Sequence, residues 1–495
     1  MQWQHNFFSI WGVSMAAKIP VTIAEGDGIG PEIMGAALAV IKASGAPLEY
    51  HKVEIGEKVY LRGQPAGIDP QTWDIIKQTK AFLKAPITTP QGGGFKSLNV
   101  TIRATLGLYA NIRPCVAYCP YVLSKHPGMD VVIIRENEED LYTGLEYRNS
   151  YDTVQAIKTI TRQGCEKIIR YAFEYAVANK RKKVTCFTKD NIMKMSDGLF
   201  HKTFDEIAKE YPQIENEHWI VDIGAAKLAD TPLAFDVVVM PNLYGDILSD
   251  VAAQIAGSVG LAGSANIGMH AAMFEAIHGS APRRAGQNLA NPSGLLLAGI
   301  MMLAHLGETA TATLIHNAWL KTLEDGIHTY DIFKDKTSKE KVGTKEFANA
   351  IIARLGQKPE QFKEATYEII PHEKLAMRQA PLQTGKQLAG TDVFIQHQGS
   401  VEELQAKLSS LAAPLHLSLI ANRGVRVWPG IKPDTTFTDL WRCRFQAKEK
   451  NTLLTYQQII DLLKRLEESK LDFSMLENLY TYEGVAGYTL AQEEQ

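Results

Sequence analysis

Three arginines within residues 97–147 are each flanked by apolar residues, and together they could bind an anion. Arg103, Arg113 and Arg135 lie in the segments VTIRATL, ANIRPCV and VVIIREN. An arginine side chain keeps its charge in proteins and presents a planar set of hydrogen-bond donors. Inward-facing guanidinium groups are costly unless anions neutralise them. The trio therefore predicts a small polycarboxylate ligand, with ion pairs to structural Asp or Glu residues as the alternative.

Further polar residues lie at both ends of this stretch. Ser97 and Asn99 are two positions apart and would share one face of the chain if it were extended there. Glu136 and Tyr142 follow the apolar run VVII, which has the composition of a buried strand. Because polar residues at the end of a buried strand usually line a cleft, we expect these side chains to face the same ligand.

A pair of aspartates provides the residues for a metal site. Asp246 and Asp250 are four positions apart in YGDILSD, directly after the apolar run FDVVVM. If a helix begins here, both carboxylates lie on one face of it. Carboxylate oxygens suit Mg2+ or Mn2+, particularly where a substrate supplies further oxygens. The alternative for Asp246 is a structural role as a helix cap.

A glycine-rich segment near the start of the chain is interpreted as a turn. PVTIAEGDGIGPEI has the pattern of a strand followed by a helix whose first turn contains Pro31. The glycines Gly26, Gly28 and Gly30 are spaced G-x-G-x-G. A dinucleotide fingerprint requires G-x-G-x-x-G, so a tight turn is the favoured interpretation.

The composition narrows the class of protein. The chain has 495 residues, of which 45% are hydrophobic and 22% charged, and its formal net charge is -3. Neither a basic tail nor a long apolar run is present, so we expect no nucleic-acid partner and no membrane association. The first residues lack the basic or Arg-rich pattern of a secretory or mitochondrial signal. The cysteines lack the spacing of a zinc site, which favours free thiols and a cytoplasmic location; they are Cys115, Cys119, Cys165, Cys186 and Cys443.

Three longer motifs carry a resemblance to a known family. KSLNVTIR, ANIRP and RENEEDLYTGLEY resemble substrate-binding segments of the NADP-dependent isocitrate dehydrogenases, within the isocitrate/isopropylmalate dehydrogenase family. The resemblance runs in order from about residue 18 to residue 356. It implies that the anionic ligand is isocitrate, with Ser97 and Asn99 acting beside the three arginines.

The resemblance also implies catalytic, metal and subunit roles. Lys189, in the turn KDNIMK, matches the catalytic lysine, and Asp222 matches a third metal-binding carboxylate. In this family both residues serve the site of the neighbouring subunit, which implies a homodimer with shared active sites. The implied reaction removes a hydride from C2 of isocitrate while Lys189 helps to take up the hydroxyl proton. The β-carboxylate then leaves, and Tyr142 protonates the enolate.

The cofactor implied by the resemblance is NADP. Thr88 matches a residue beside the cofactor, and Tyr330 and Lys334 match a pair that completes the 2′-phosphate site. Arg283 and Arg284 stand where members of this family commonly have Lys-Tyr. The resemblance therefore implies a 2′-phosphate pocket that keeps its positive charge but differs in geometry. The other positions expected to bind the cofactor are His278, Gly279, Ser280, Ala281, Pro282 and Asn291.

Alternating strand and helix patterns over the first 356 residues predict an α/β fold with large and small domains around a cleft. The large domain is expected to span 15–108 and 257–356, and the small domain 109–256, with a clasp at about 140–161. A linker is predicted at 357–388. A small α+β domain with βαββαβ order follows at 389–495, resembling the additional carboxy-terminal module of one bacterial subset.

The sequence leaves two other functions open. The 3-isopropylmalate and homoisocitrate dehydrogenases belong to the same family, but isopropylmalate needs an apolar pocket where Ser97 and Asn99 stand. A non-catalytic binding or regulatory protein on this fold is the more distant alternative. Every position that matches a catalytic residue of the family is filled here, which disfavours it.

Overall fold

The computed structural model describes residues 18–88, 97–368, 385–430, 433–449 and 452–490. Its α-helices are α1 (Gly30–Ala43), α2 (Glu57–Leu61), α3 (Pro70–Thr79), α4 (Leu98–Leu106), α5 (Arg162–Ala178), α6 (Ser196–Ala208), α7 (Val221–Asp230), α8 (Asn242–Ala256), α9 (Ser293–His305), α10 (Thr309–Glu324), α11 (Thr344–Ile352), α12 (Val401–Leu411) and α13 (Tyr456–Glu468). Its strands are β1 (Ile19–Ala24), β2 (Leu48–Val53), β3 (Ala81–Lys84), β4 (Ala110–Val116), β5 (Asp130–Glu136), β6 (Glu146–Arg148), β7 (Val154–Ala156), β8 (Lys183–Thr188), β9 (Glu215–Ile220), β10 (Val237–Met240), β11 (Gly263–Ile267), β12 (Ala272–Ala276), β13 (Ile327–His328), β14 (Glu340–Lys341), β15 (Lys386–Gln396), β16 (Leu415–Asn422), β17 (Val425–Trp428), β18 (Leu440–Ala447), β19 (Asp472–Tyr482) and β20 (Val485–Ala486).

The chain divides into two compact units. Of the described residues, the first unit contains 18–143 and 158–368, and the second contains 144–157 and 385–490. Among the described helices, none is both long and apolar enough to span a membrane.

The first unit is built on a ten-stranded sheet with the order β2-β1-β3-β12-β11-β4-β5-β10-β8-β9. Most neighbours are parallel, whereas β11 and β4 run antiparallel to the strands beside them. The run VVII in β5 is buried on both faces, since Val132 and Ile134 pack into one hydrophobic cluster and Val131 and Ile133 into another. The predicted α/β fold is therefore confirmed, and continuous apolar strands are expected in such a sheet.

The three arginines lie on three separate elements, as predicted. Arg103 is on α4, Arg113 on β4 and Arg135 near the carboxyl end of β5. Arg135 is in register with Asn111 of β4 and with Met240, the last residue of β10. Because α8 begins just after β10, its first two turns lie beside Arg135.

The chain around Ser97 and Asn99 is helical, so the extended interpretation was wrong. Ser97 is the N-cap of α4, and Asn99 lies in its first turn, four residues before Arg103. Leu98 and Ile102 are also four residues apart and both are fully buried. This is the period of a helix face packed on a core. Asn99 and Arg103 consequently share one face.

The glycine-rich segment forms the predicted tight turn. Gly28 has a φ of 59°, in the left-handed region that glycine adopts without strain. A Cβ atom at Gly28 would lie 2.1 Å from the carbonyl oxygen of Ser280. The amide of Ile29 donates to that same oxygen at 2.9 Å. The turn therefore holds the loop that contains Ser280.

The second unit contains a six-stranded antiparallel sheet with the order β17-β16-β18-β15-β19-β20 and the hairpin β6-β7. Ser150, in the hairpin, donates from Oγ to Asp439 Oδ1 at 2.6 Å. Helices α12 and α13 each begin with a capping box, which satisfies two amides at the helix start. The α+β architecture is as predicted, and β17 and β20 extend the predicted βαββαβ order.

The first part of the predicted linker packs on the first unit. The carboxylate of Glu324 accepts hydrogen bonds from the amides of Glu360, Gln361 and Phe362 at 2.6–2.7 Å. Tyr367 hydrogen-bonds with His316 Nδ1 through its hydroxyl at 2.9 Å. Strand β15 begins at Lys386, inside the predicted linker, and residues 369–384 lie outside the described residues.

Because of this packing, we expect residues 357–368 to contribute to the stability of the first unit. A chain that stops at Gly356 loses the three amides that donate to Glu324 and the hydroxyl that bonds to His316, whereas a chain that stops at Glu368 keeps them. Buried carboxylates without partners destabilise a fold, so we expect the shorter chain to melt lower by about 5 °C or more. Thermal unfolding followed by circular dichroism measures this. Equal melting temperatures for the two truncated chains would show that residues 357–368 contribute nothing.

Candidate functional site

A pocket of about 260 Å³ lies in the first unit, beside the start of α4 and the carboxyl ends of β3 and β12. The predicted residues that line it are Ser97, Asn99, Arg103, Arg113, Tyr142, Asp246, His278 and Gly279. Lys84 and Glu275 also line it and were not predicted from the sequence. The structure thus brings predicted substrate, metal and cofactor residues to one pocket.

Asp246 joins two of the arginines. Arg135 donates from Nη1 to Asp246 Oδ1 in a short ion pair, and Arg113 Nη2 lies 3.3 Å from the same oxygen. Arg113 also donates to Ser249 Oγ at 2.6 Å and contacts Asp250 Oδ1 at 3.4 Å. Burial, together with the nearby positive charges of Arg113 and Arg103, lowers the pKa of Arg135 to about 9. An additional anion would relieve this crowding of cations.

The third arginine belongs to a second buried ion pair. Glu275 accepts from Arg103 Nη2 at 3.0 Å and from Lys84 Nζ at 2.7 Å. Lys84 is fully buried and Glu275 is 5% exposed. Although burial acts against it, the positive charges of Lys84 and Arg103 hold the pKa of Glu275 well below its ordinary value. The sequence signal for this pair is a charged residue inside each of the apolar strands AFLK and AMFEA.

Several buried polar atoms at the pocket have no hydrogen-bond partner among the described residues. They are Asn99 Oδ1, Arg103 Nε and His278 Nε2. Buried polar atoms are nearly always paired in folded proteins, so unpaired ones that line a pocket indicate a polar ligand. Burial lowers the pKa of His278, which favours its neutral form.

Tyr142 lies where it could transfer a proton. Its hydroxyl donates to Asp246 Oδ2 in a short hydrogen bond, and the guanidinium of Arg135 lies 4.7 Å from its ring centre. Burial and the hydrogen bond to Asp246 raise the pKa of Tyr142. Burial opposes ionisation of Asp246, but Arg135 and Arg113 outweigh it and lower the pKa of that carboxyl. Tyr142 is therefore protonated next to an ionised carboxylate.

The two aspartates of YGDILSD lie one turn apart on α8, with 37% and 60% of the side chains of Asp246 and Asp250 exposed. Because α8 begins at Asn242, Asp246 is in its second turn, and the helix-cap alternative was wrong. Burial raises the pKa of Asp250. Two carboxylates on one helix face, beside a pocket with unpaired polar atoms, fit a hard divalent cation.

Lys189 and Asp222 lie outside the pocket that contains Tyr142 and Asp246. Lys189 Nζ lies 2.8 Å from Asp222 Oδ2, and neither side chain lines the pocket. The hydrogen bond from Lys189 lowers the pKa of Asp222. The single chain therefore pairs these two residues with each other and does not bring them to Asp246 or Tyr142.

The loop expected to bind the cofactor begins at the pocket. Thr88 Oγ1 and Ser280 Oγ are 2.7 Å apart, which joins two predicted cofactor positions. Ala281 adopts a left-handed conformation with a φ of 39°, and a short 3-10 turn, Pro282–Arg284, follows it. Asn291 donates from Nδ2 to Asp331 Oδ2 at 3.1 Å.

A cluster of cations lies in and beside this loop. The guanidinium of Arg284 lies 4.9 Å from the ring centre of Tyr330, which brings together two residues far apart in the sequence. Arg283, Arg284 and Lys334 are exposed. Within the described part of the chain, the ion pairs of the structure do not include any of the three. This arrangement leaves positive charge available for a phosphate group.

Among the described residues, one group of three side chains that could bind a metal ion lies close together: Asp190, His201 and His218. This group was not predicted from the sequence. His201 Nδ1 bonds to Asp190 Oδ2 at 2.6 Å, and the rings of His201 and His218 stack with centres 3.5 Å apart. A histidine nitrogen binds a metal ion that lies in the plane of its ring. Because the two stacked rings lie in separate planes, one ion cannot bind both histidines in this arrangement. The group is therefore a hydrogen-bonded cluster next to Lys189.

Comparisons with known proteins identify the families to which parts of this chain are similar. A family model described as isocitrate/isopropylmalate dehydrogenase matches residues 20–351, and one described as bacterial isocitrate dehydrogenase, C-terminal domain, matches residues 386–494. The Rickettsia bellii protein "Isocitrate dehydrogenase [NADP]" is 54% identical over 97% of this chain and 100% of its own length.

Two solved structures are similar to the fold. The TT0538 protein from Thermus thermophilus has a TM-score of 0.90 and 41% identity, with 96% of each chain covered. Isocitrate dehydrogenase from Methylococcus capsulatus has a TM-score of 0.65 and 43% identity, covering 68% of this chain and 99% of its own.

Proposed function

The chain belongs to the isocitrate/isopropylmalate dehydrogenase family, and we propose that it converts isocitrate to 2-oxoglutarate and CO2 with reduction of NADP. The observation that carries this proposal is the charge of the pocket. A purified-protein assay of NADPH formation with isocitrate and Mg2+ or Mn2+ tests it. Absence of NADPH formation with a folded protein and either metal would overturn it.

Four cations and three carboxylates meet at or directly behind the pocket. The cations are Lys84, Arg103, Arg113 and Arg135, and the carboxylates are Asp246, Asp250 and Glu275. This set has one net positive charge, and a divalent ion would raise it to three. A fully ionised tricarboxylate has three negative charges and would neutralise the site. A dicarboxylate such as isopropylmalate would leave positive charge unpaired.

The protein residues bind the substrate and move its protons. The arginines hold the carboxylates of isocitrate, and Asn99 and Ser97 hydrogen-bond the remaining arm. Lys189 takes up the hydroxyl proton during hydride transfer, and Tyr142 protonates the enolate after decarboxylation. When bound, NADP would supply the hydride acceptor. The divalent ion, Mg2+ or Mn2+, would supply a Lewis acid for the carbonyl from which CO2 leaves.

We also propose a homodimer with shared active sites. Asp246 and Asp250 would hold the metal ion together with Asp222 supplied by the neighbouring subunit. The support is that Lys189 and Asp222 pair with each other, away from the pocket of their own chain. A monomer would then have an incomplete site. The predicted large domain (15–108 and 257–356) and small domain (109–256) remain a proposal, and residues 144–157 of that small domain group with the second unit.

The cofactor proposal makes a prediction about Arg283. Replacing Arg283 with Asp should weaken NADP binding roughly ten- to a hundred-fold, on the order of 1 to 3 kcal/mol, because a repulsive carboxylate replaces a phosphate ligand. NAD lacks the 2′-phosphate and should be affected much less. Titration of each variant with both cofactors measures the two dissociation constants.

Lys58→Asp is the matched control, since Lys58 is exposed on α2 and the substitution changes the net charge equally. It should leave both cofactors unaffected. Equal losses of NADP and NAD binding in the Arg283 variant would contradict the assignment of this loop to the 2′-phosphate.

The related branch of the family gives a second candidate activity. Homoisocitrate is also a tricarboxylate, so the charge of the pocket alone does not separate it from isocitrate. Measuring kcat/KM for isocitrate, homoisocitrate and 3-isopropylmalate under the same conditions separates the three. A higher value for either rival substrate would replace the proposed one.

A further inference from the structure

Lys158 neutralises two carboxylates that are both fully buried. Its Nζ atom lies 3.1 Å from Asp140 Oδ1 and 2.9 Å from Asp197 Oδ1, and 4.7 Å from the ring centre of Tyr244. Asp140 and Asp197 have no exposed surface, and the Lys158 side chain is 13% exposed. Among the described residues, no group donates a hydrogen bond to Asp140 Oδ1 or Asp197 Oδ1. The ammonium group of Lys158 is therefore what neutralises these two oxygens.

The first of these carboxylates joins two parts of the site. Asp140 Oδ2 accepts from the amide of Leu243 at 2.9 Å, in the first turn of α8, the helix that carries Asp246. Asp140 itself has a φ of 67°, in the left-handed region, and lies two residues before Tyr142. Its carbonyl oxygen accepts from Thr143 Oγ1 at 3.1 Å. Asp140 therefore orients the turn of Tyr142 relative to α8.

The second carboxylate holds the turn of Lys189. Asp197 Oδ2 accepts from the backbone amide of Lys189 at 2.6 Å and from the hydroxyl of Tyr244 at 3.2 Å. Tyr244 is also on α8, two residues before Asp246. One lysine thus connects the backbone segments of a proton donor, a metal carboxylate and a second proton-transfer residue.

We infer that Lys158 is a positioning residue for the reaction, acting through Asp140 and Asp197 on Tyr142, Asp246 and Lys189 together. This inference rests on the proposed function for its kinetic consequences. Without the ammonium group, no described cation lies beside the two buried carboxylates, so the segments that hold them should shift. A displacement of about 1 Å in a catalytic group can cost on the order of a hundredfold in rate.

Lys158→Met keeps the approximate length of the side chain and removes its charge. Oxalosuccinate is the ketone that forms when isocitrate loses its hydride. We expect kcat to fall roughly ten- to a hundred-fold both for oxidative decarboxylation of isocitrate and for reduction of added oxalosuccinate, because Tyr142 and Lys189 lose their positions together. The KM for NADP should change less than about threefold, since the hydrogen bonds and ion pairs of this cluster in the described residues do not include Thr88 or residues 278–284. The rate of backbone amide hydrogen exchange should rise in all three connected segments, 140–143, 188–190 and 242–246.

Lys167→Met is the matched control. Lys167 is also a mostly buried lysine, with 19% of its side chain exposed, and it pairs with Glu138 at 3.1 Å and lies over the ring of Tyr109. Its loss should lower stability without a comparable change in kcat for either reaction. If Lys158→Met does not fold, Lys158→Arg keeps the charge but must fit a larger, planar guanidinium into a mostly buried position, and about a fivefold loss in both reactions is expected.

The inference is overturned if a folded Lys158 variant loses only one of the two reactions, matches the Lys167 control, or shows unchanged hydrogen exchange in the three segments. The wild-type chain is measured alongside. An inactive wild type overturns the proposed function, whereas the exchange data still decide whether Lys158 holds the three segments together.

Discussion

Tyr142→Phe and Lys189→Met are expected to inactivate different steps of the reaction. Tyr142→Phe keeps the ring and removes the hydroxyl that donates to Asp246, so enolate protonation should fail while reduction of oxalosuccinate to isocitrate largely survives. Lys189→Met removes the amine that must protonate the forming alkoxide, so that reduction should fail. Losses of roughly two to four orders of magnitude are expected, each in its own step. Stopped-flow and steady-state assays with both substrates measure them.

Mixing the two variants tests the shared site. If Lys189 serves the neighbouring subunit, a mixed dimer contains one site in which both residues are native and one in which both are changed. Activity should therefore reappear when the two inactive proteins are unfolded and refolded together. Continued inactivity of a folded mixed dimer would indicate that the Tyr142 and Lys189 of one site come from the same chain. The same kinetic profile for the two single variants, or near-normal oxidation of isocitrate by either, would contradict their assigned roles.

Glu275→Gln should give the largest loss of stability in the first unit. Its carboxylate neutralises Lys84 and Arg103, which are 0% and 8% exposed. Removing one partner of a buried ion pair typically costs about 3 to 5 kcal/mol, because the charges left behind are almost entirely removed from water. Urea unfolding at neutral pH measures this loss. A polyanionic ligand should restore part of it, since it can neutralise Arg103 in place of the carboxylate.

The effect of Glu275 should depend on pH. Its folded-state pKa is depressed, so its contribution to stability is complete above the ordinary value of 4.5 and is lost as the pH falls from there toward the lowered pKa. The difference between wild type and the Gln variant should therefore shrink below about pH 4.5. Glu364→Gln is the control, since Glu364 pairs with Lys358 at the surface and should cost less than about 1 kcal/mol. A Glu275 variant as stable as this control would show that the buried pair contributes no net stability.

The amino-acid sequence by itself determined the features that depend on local patterns. Apolar runs and their periods place Arg113 and Arg135 on strands, and the four-residue spacing places Asp246 and Asp250 on one helix face. The strand and helix order of the carboxy-terminal unit follows from the same patterns. At Ser97 the predicted extended chain was wrong, because Leu98 and Ile102 are four residues apart and pack as one face of a helix.

Only the tertiary structure decided which charged residues meet. Lys84 and Glu275 are 191 positions apart in the chain, yet they are cross-strand neighbours because β12 lies beside β3 in the sheet. Strand order depends on how the whole chain packs, and no local period carries it. The contact between Arg284 and Tyr330 and the ion pairs of Lys158 with Asp140 and Asp197 have the same origin. Long-range ion pairs require the sheet to assemble before their partners are defined.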